Sequence, residues 1–485
     1  MTTNKVDIRQ VKTGVTGLDD VLGGGLPQFS FNLIAGPPGA GKTTLAHQLM
    51  FNLATPDNQA LYFTVLGEPP LKMLRYQQQF DYFEQDKINR CIRFISLTEE
   101  TASGDLGRVL ELIAAQVAIH SPAFVFVDSF RSVILAARPE ARVPLTVQEF
   151  TQQLGTLMTS WQATTFLLGE YDSHSEADPI FTIADGIIWL RQSVERNSVI
   201  RKLEIMKMRG QATTTGLHTF RITGHGLSVF SLPPYATSNQ GDGSITERLK
   251  MGVPMLDEML GGGLPRGYSL LVAGPSGSGK SILASAFLIQ GTREGETGVI
   301  VAFEQRPNKS RGSAIFDLIQ KGRIGVVDTR APGVSVDEIA ALIIAEVRRL
   351  KAGRLVIDSL SGFELALAPT FREDFRESLA RMVAALANTG VTTLMTSELE
   401  DRYTELRFSP YGTAFLTDAI IVQRYIEVDS SLRRVLGVIK VRASAHSNEL
   451  RQFSIDAGGI RIGAMLGNHE GLLSGTPTSV HEPAA

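Results

Sequence analysis

The sequence Gly36-Pro37-Pro38-Gly39-Ala40-Gly41-Lys42-Thr43 fits the pattern G-x-x-x-x-G-K-[ST] of a phosphate-binding loop. An apolar run, 31–35, precedes it, and a stretch with apolar residues at helical spacing, 43–54, follows it. In this pattern the glycines let successive backbone N–H groups point at phosphate oxygens, and the helix N-terminus adds partial positive charge. We therefore predict a strand, a phosphate-binding loop and a helix, in that order.

The same pattern returns 238 residues later as Gly274-Pro275-Ser276-Gly277-Ser278-Gly279-Lys280-Ser281. A similar glycine-rich segment precedes each loop in the sequence, at 14–27 and at 252–265. This period is far longer than the roughly 20–50 residues of a solenoid repeat. We therefore interpret the chain as one whole domain that has been duplicated.

Changes in composition set the predicted boundaries of these domains. The segment between the copies is rich in proline, glycine, serine and other polar residues, which is typical of a linker. The C-terminal segment has no apolar periodicity, so we expect it to be mobile. The predicted organisation is a first domain at 10–232, a linker at 233–246, a second domain at 247–466 and a mobile tail at 467–485.

Within each copy, short apolar runs alternate with stretches of helical spacing. In the first copy the runs are 31–35, 61–65, 124–127, 166–168 and 187–190. Apolar strands that alternate with helices indicate an α/β domain, with a mostly parallel sheet flanked by helices. Near the end of the copy the spacing tightens to strand, turn and strand, at 217–222 and 226–230. We expect these strands to form an antiparallel extension of the sheet.

The loop residues divide between phosphate and metal binding. Lys42 and Lys280 are candidates to neutralise charge on the β- and γ-phosphates, and the hydroxyls of Thr43 and Ser281 are candidate Mg²⁺ ligands. The remaining predicted nucleotide-binding residues belong to the same two loops: Gly36, Gly39, Ala40, Gly41 and Thr44, and Gly274, Gly277, Ser278 and Gly279.

Two aspartates, Asp128 and Asp358, each end an apolar run, 124–127 and 354–357. Ligands of open α/β sheets bind at the carboxyl ends of the strands, so an aspartate there can hold Mg²⁺ through water. A strand-end aspartate that only caps the next turn is the alternative. The phosphate loop upstream favours the metal role.

Hydrolysis also needs a carboxylate that orients or deprotonates the attacking water. Glu68 and Glu304 follow the second predicted strand of their copies and are the candidate catalytic carboxylates, together with Lys42 and Lys280. The alternative for each glutamate is a solvated loop residue. The two segments align with some slack, so Glu68 need not occupy the place of Glu304.

Composition narrows the function classes. The chain is 43% hydrophobic and 20% charged, which is ordinary for a globular protein, and its net charge of −3 argues against a constitutive nucleic-acid binder. Cys91 is the only cysteine, so the chain has neither an internal disulfide nor a thiolate metal cluster. No apolar stretch approaches the roughly 18 residues of a membrane span. We expect a cytoplasmic protein that does not act at a membrane.

Taken together, these motifs resemble those of the KaiC family of duplicated RecA-like ATPases. The resemblance rests on the two phosphate loops, the Gly-Gly-Leu-Pro approaches, the Asp-Ser strand ends and the pairs Lys207/Arg209 and Lys440/Arg442, and it covers nearly the whole chain. It implies two tandem RecA-like P-loop NTPase domains that use ATP and Mg²⁺. It also implies a hexamer of two stacked rings with nucleotide between neighbouring subunits.

In such a hexamer the Lys-x-Arg pairs would reach the neighbour's nucleotide and stabilise phosphate charge. The alternative is a strand whose basic side chains face solvent. The family's second domain also transfers phosphate to a Ser-Thr pair, which makes this domain a candidate serine/threonine autokinase. Here that pair aligns with Ala414-Phe415, neither of which accepts phosphate, and the nearby hydroxyls are Ser409, Tyr411, Thr413 and Thr417.

Three functions follow as hypotheses. The first is a hexameric ATPase with a signalling or regulatory role and with regulatory protein partners. The second is a RecA- or Rad51-type DNA-dependent ATPase, which the near-neutral charge disfavours. The third is a nucleotide-gated scaffold with little catalysis. The resemblance implies two adjacent glutamates after the second strand of each domain, whereas this chain has Gly67-Glu68 and Glu304-Gln305, and the loss of one glutamate from each pair fits such a scaffold.

Overall fold

The computed structural model describes residues 8–65, 70–137, 145–172, 178–195, 198–231, 247–303, 314–327, 329, 334–367, 375–399, 416–428, 430–465, 469–470 and 478–479. The chain separates into two compact units, Met1–Ser231 and Leu232–Ala485. The predicted linker, 233–246, lies outside the described residues, and the predicted domain bounds stay predictions.

The first unit contains eleven described strands. They are β1 Gln10–Val11, β2 Leu26–Pro27, β3 Phe31–Gly36, β4 Ala60–Thr64, β5 Ile92–Ser96, β6 Phe124–Asp128, β7 Thr164–Glu170, β8 Gly186–Glu195, β9 Ser198–Met208, β10 His218–Thr223 and β11 Gly226–Phe230. The described helices are α1 Leu18–Val21, α2 Lys42–Leu53, α3 Pro70–Gln77, α4 Thr98–Ser103, α5 Leu106–His120, α6 Phe130–Leu135, α7 Val147–Ser160 and α8 Pro179–Ile183, with a 3₁₀ turn at Gln85–Lys87.

Nine of these strands form one sheet in the order β11-β10-β9-β8-β3-β7-β6-β4-β5. The strands from β8 to β5 run parallel, and β9, β10 and β11 add an antiparallel edge. Strands β3, β4 and β6 are buried along their whole length. This burial is expected of parallel strands covered by helices on both faces.

The second unit repeats the plan. Its strands are β12 Arg248–Leu249, β13 Leu264–Pro265, β14 Ser269–Gly274, β15 Gly298–Ala302, β16 Ile324–Val327, β17 Arg354–Asp358, β18 Thr392–Glu398, β19 Ala419–Val428, β20 Ser431–Val441, β21 Arg451–Asp456, β22 Gly459–Met465, β23 His469–Glu470 and β24 Thr478–Ser479. Its described helices are α9 Pro254–Met259, α10 Lys280–Arg293, α11 Ala314–Gln320, α12 Val336–Leu350, α13 Leu360–Ala366 and α14 Phe375–Ala387.

The second nine-stranded sheet has the same strand order as the first, β16-β15-β17-β18-β14-β19-β20-β21-β22. Strand β14, which leads into the second phosphate loop, lies between β18 and β19, just as β3 lies between β7 and β8. Within the predicted tail, the described residues form one short antiparallel pair, β23 with β24. The rest of the tail lies outside the described residues.

The predicted fold class is confirmed: two tandem α/β domains of the RecA-like kind, each with a mostly parallel sheet and an antiparallel edge. One strand is longer than predicted, since β8 continues from the expected 187–190 out to Glu195. The periodicity missed this part because it carries charged residues, such as Arg191, which pairs with Glu204 of β9 at 2.9 Å. No helix in the described part of the chain is long and apolar enough to cross a membrane.

Candidate nucleotide-binding sites

Each phosphate loop joins a buried strand to a long helix. The loop from β3 ends at Gly41, which has φ 103° and precedes α2, and the loop from β14 ends at Gly279, which also has φ 103° and precedes α10. A side chain at either glycine would collide, because an added Cβ would lie 2.7 Å from Ile222 Cδ1 in the first domain and 2.6 Å from Ile455 Cδ1 in the second. The backbone conformation therefore requires glycine at both positions, whereas the contact itself would only force the flexible end of each isoleucine to shift.

Both loop lysines lie against their own loops. The Lys42 ammonium donates to the carbonyls of Gly36 and Pro37, at 2.9 Å each. The Lys280 ammonium donates in the same way to Gly274 at 2.9 Å and to Pro275 at 2.8 Å. Burial lowers the pKa of Lys42, and the negative charges of Glu170 and Asp128 oppose that shift. Each lysine thus sits in the loop that the phosphates would occupy.

The predicted metal residues of the first domain meet in the structure. Thr43, on the first turn of α2, donates from Oγ1 to Asp128 Oδ2 at 3.0 Å. The phenol of Tyr62 donates to the same carboxylate oxygen at 2.7 Å. Burial raises the pKa of Asp128, and the hydrogen bonds from Tyr62 and Thr43 act in the opposite direction. The pKa of the Tyr62 phenol is raised well above its usual value, mainly by burial, so this phenol donates at neutral pH.

In the second domain the corresponding aspartate has a different partner. Asp358 is half-buried at the end of β17, and its Oδ1 accepts a hydrogen bond of 2.5 Å from Thr396 Oγ1 on the neighbouring strand β18. Ser281 occupies the position of Thr43, directly after the loop lysine. The second site therefore has the same ligand types in the same places.

These donor sets fit Mg²⁺. A hydroxyl one residue into a helix and a carboxylate at the end of an adjacent strand are oxygen ligands, which this hard cation prefers. In the first domain they lie within one hydrogen bond of each other. Thr43 with Asp128, and Ser281 with Asp358, would hold the ion beside the loop, where it would neutralise phosphate charge.

A cavity of about 450 Å³ opens over the first loop. This volume lies within the usual range of roughly 300–1,000 Å³ for small-molecule sites. Its lining combines the loop with three other parts of the sheet: Gly39, Gly41, Lys42, Thr43, Thr44, Asp128, Ser129, Ser132, Leu168, Gly169, Glu170, Arg201 and Ile222.

Two charged residues of this lining, Glu170 and Arg201, were missed by the sequence analysis. Glu170 is the last residue of β7, and its register partner is Gly36, the first residue of the loop. Glu398 ends β18 opposite Gly274 in the same way. A strand-end position like that of Asp128 is the signal that could have found these glutamates. Arg201 comes from the long hairpin that the periodicity did not show.

The candidate catalytic glutamates, Glu68 and Glu304, lie outside the described residues, but their spacing from described anchors can be compared. Val65 N donates to Asp128 O at 2.9 Å, and Phe303 N donates to Asp358 O at 3.1 Å, so Val65 and Phe303 are equivalent. Glu304 comes one residue after its anchor, whereas Glu68 comes three residues after. The two glutamates therefore differ in their spacing along the chain from equivalent anchors.

The Lys-x-Arg pairs lie away from the loops of their own domains. Lys207 donates to the carbonyls of Phe181 at 3.3 Å and Thr182 at 2.9 Å, near the end of α8. Arg209 pairs with Asp185 at 3.0 Å, just before β8 begins.

The second pair has the same arrangement. Lys440 donates to the carbonyl of Thr417 at 2.7 Å, and Arg442 pairs with Asp418 at 3.3 Å, just before β19 begins. Both pairs thus sit at the amino-terminal edge of the parallel strands, whereas the phosphate loops sit at the carboxyl-terminal edge.

The candidate phosphate acceptors are only partly described. Ser409, Tyr411, Thr413 and the pair Ala414-Phe415 lie outside the described residues. Thr417 is described and is fully buried. A hydroxyl without solvent access is a poor acceptor, so the described part of the chain offers no support for transfer to Thr417.

Two phosphate loops on doubled RecA-like sheets, each with a strand-end aspartate, define the chain as a tandem P-loop NTPase. The family described as "ATPase: KaiC" matches residues 11–233 and again 249–466. The chain therefore belongs to the KaiC ATPase family.

Full-length relatives are more distant. The circadian clock oscillator protein KaiC of Picosynechococcus sp. is 26% identical over 486 residues, which cover 98% of this chain and 93% of the relative. The proteins of that name from Acaryochloris marina and Thermosynechococcus vestitus are each 26% identical over 490 residues, with the same coverage.

Proposed function

We propose that each domain binds ATP with Mg²⁺ and that the chain works as a homo-oligomeric, hexameric ATPase with a regulatory role. Membership of an ATPase family supports the hydrolytic activity. The Thr43–Asp128 hydrogen bond and the cavity over the first loop support the assignment of the nucleotide and the metal to this edge of the sheet.

The proposed oligomer rests on the distance between each phosphate loop and the Lys-x-Arg pair of the same domain. Met208 lies in register with Gly186, and Gly186 lies in register with Asn32, four residues before Gly36. At roughly 3.3 Å per residue, this row lies about 13 Å from the start of the loop. Because Lys207 and Arg209 bind groups still further from the loop, they support a role at the nucleotide of another copy.

The chemical roles follow from charge and position. The loop N–H groups and Lys42 or Lys280 would bind the phosphates, and the hydroxyl and aspartate of each domain would hold Mg²⁺. Glu304 and Glu68 would orient the attacking water. Lys207 and Arg209, or Lys440 and Arg442, would stabilise the charge that develops on the neighbour's γ-phosphate. An arginine supplied in this way contributes roughly 10³–10⁵ in rate.

Mixing two inactive variants tests the shared site. In a Lys280→Ala background, Lys42→Ala removes the loop lysine of the first domain and Arg209→Ala removes its arginine. Each variant alone should lose first-domain hydrolysis. After the two variants are refolded together in equal amounts, about a quarter of the parental rate should return. At a random interface the subunit that supplies the loop has an intact lysine half of the time, and the subunit that supplies the arginine has it intact half of the time, so one interface in four is complete.

The control is the same mixture of Lys42→Ala with itself, which should stay inactive. Light scattering with and without Mg·ATP reports assembly alongside the rate. A mixture that stays inactive although the oligomers form would contradict the shared site. A chain that stays monomeric in saturating Mg·ATP would contradict the oligomer itself.

A regulatory ATPase without autokinase activity is the finer proposal. It is supported by Ala414-Phe415 at the positions that align with the family's phosphorylated pair. After incubation with Mg·ATP, intact-mass spectrometry should show no added phosphate. Phosphate mapped by peptide analysis to Ser409, Tyr411 or Thr413 would establish a kinase instead.

A nucleotide-gated scaffold is the second candidate, and the spacing of Glu68 from its anchor favours it for the first domain. Glu68 follows Val65 by three residues, whereas Glu304 directly follows the equivalent Phe303. A first domain that binds Mg·ATP but releases no phosphate in the Lys280→Ala background would support this candidate.

A further inference from the structure

The two metal-side aspartates are held by different residues from opposite sides. In the first domain, Tyr62 on β4 donates to Asp128 at 2.7 Å. In the second domain, Thr396 on β18 donates to Asp358 at 2.5 Å. Strands β4 and β18 lie on opposite sides of the aspartate strand, because the orders around it are β4-β6-β7 and β15-β17-β18.

The sheet registers show that each domain lacks the other's donor. In the first domain, Tyr62 pairs with Phe126, two residues before Asp128. In the second domain, the residue two before Asp358 is Val356, and it pairs with Ile300. Isoleucine therefore occupies the tyrosine position in the second domain. Leu168 pairs with Asp128 in the first domain. In the second domain Ile357 pairs with Met395, so the next residue of that strand, Thr396, lies opposite Asp358.

These exchanges are reciprocal. The first domain has Tyr62 and Leu168, and the second has Ile300 and Thr396. Each aspartate therefore keeps one hydroxyl donor on a neighbouring strand, although the strand that supplies it has changed. Packing alone would not require a hydroxyl at these positions, because apolar side chains fill the equivalent positions of the other domain. Ile300 takes the place of Tyr62, and Leu168 takes the place of Thr396.

We propose that Tyr62 in the first domain and Thr396 in the second are positioning residues, each of which fixes the carboxylate of the metal-side aspartate by donating one hydrogen bond. This inference rests on the proposed role of Asp128 and Asp358 toward Mg²⁺. A carboxylate rotates about its Cβ–Cγ bond, and a donor on one oxygen holds it in one orientation. Loss of such an outer hydrogen bond typically weakens metal binding by roughly 10–100-fold.

Tyr62 also has an apolar role, which the experiment must separate from its hydroxyl. Its ring is fully buried and stacks on His47 at 4.7 Å and on Phe126 at 5.9 Å between centroids. Phenylalanine keeps these stacking contacts and removes only the hydroxyl. Thr396→Val is the equivalent change in the second domain, since valine keeps the branched shape of threonine.

Calorimetric titration with ATP, in Mg²⁺ and in EDTA, measures the metal-dependent part of binding without relying on turnover. Tyr62→Phe is titrated in the Lys280→Ala background, so that only the first domain binds, and Thr396→Val in the Lys42→Ala background. Each change should weaken binding of Mg·ATP by roughly tenfold or more and leave binding of ATP in EDTA unchanged. Tyr82→Phe is the matched control, because the Tyr82 hydroxyl donates to Gln77 rather than to Asp128. It should leave both affinities unchanged.

A transplant tests the reciprocity. Adding Leu168→Thr to Tyr62→Phe moves the donor of the first domain to the strand that supplies it in the second, and Mg·ATP affinity should recover at least part of the roughly 10–100-fold loss. Equal loss of binding in Mg²⁺ and in EDTA would show general damage to the domain and would overturn the proposal. So would a Tyr62→Phe protein with the parent's affinity for Mg·ATP. A Lys280→Ala parent whose ATP affinity is the same in Mg²⁺ and EDTA would instead contradict the proposed metal site itself.

Discussion

The two domains share a backbone plan but not the side chains that support it. Strand order, the loop glycines and the strand-end aspartates are the same in both, whereas the hydroxyl that holds the aspartate comes from β4 in one domain and from β18 in the other. The sheet therefore fixes where the reactive groups lie in both domains. The residues behind them can change as long as each strand-end carboxylate keeps a donor.

The first position of the aspartate strand shows a second difference. The first domain has Phe124 there, within its apolar core, and the second has Arg354, which is 0% exposed. Arg354 pairs with Glu294 at 2.7 Å and with Glu296 at 2.5 Å, and it also donates to the carbonyls of Lys250 and Phe287. A Cβ at Gly291 of α10 would lie 2.4 Å from Arg354 Nε, which explains a glycine inside this helix.

Replacing the candidate catalytic glutamates should change activity most, and by different amounts in the two domains. Glu304→Gln in a Lys42→Ala background should slow phosphate release by the second domain by roughly 10²–10⁴-fold, as loss of a general base does. Glu68→Gln in a Lys280→Ala background should cost less, because Glu68 lies two residues further from its anchor than Glu304 does.

Steady-state phosphate release measures both glutamate variants, and calorimetry confirms that they still bind nucleotide. Equal losses would show that the different spacing does not separate the two glutamates. An unchanged rate in Glu304→Gln would remove that residue from the mechanism.

The buried arginine gives the next largest effect and tests whether the second core depends on it. Arg354→Ala removes the guanidinium from two partly exposed glutamates and takes a hydrogen bond from each of the carbonyls of Lys250 and Phe287, and such losses cost about 1–3 kcal/mol of unfolding free energy. Arg349→Ala is the control, since Arg349 forms an exposed pair with Glu346 that contributes about 0–1 kcal/mol. Urea unfolding measures both. A loss below about 1 kcal/mol for Arg354→Ala would show that the network is not needed for stability.

The smallest expected effect is on stability at low pH. His47 should make the stability of the first domain, but not of the second, depend on pH. This side chain is fully buried beside Tyr62, and burial lowers its pKa to about 3. Below the ordinary pKa of about 6.5 the unfolded chain takes up a proton that the folded domain excludes, so stability falls as the pH falls. The loss is at most about 1.4 kcal/mol per pH unit between 6.5 and the folded pKa.

Ser285 occupies the place of His47 in the second domain, and so suggests the test variant. Urea unfolding of His47→Ser between pH 7 and 5 should show a shallower loss for the first domain than the parent shows. An equal slope in variant and parent would assign the acid sensitivity to other groups.

Much of the fold could be predicted because it depends on local patterns. The glycines of 36–43 and the apolar runs beside them are readable without any knowledge of tertiary structure. The support of the site was not readable in this way, since Tyr62 reaches Asp128 only through the pairing of β4 with β6, 66 residues apart in sequence. The same holds for Glu170, whose place beside the loop depends on the register of β3 with β7.

The most direct test of the account is the number of ATP molecules that one chain binds in Mg²⁺, measured by calorimetry on the full-length protein. Two loops that hold their lysines in the same way predict two molecules per chain, one for Lys42→Ala, one for Lys280→Ala and none for the double variant. A wild-type chain that binds one molecule or none, or a double variant that still binds ATP, would contradict it.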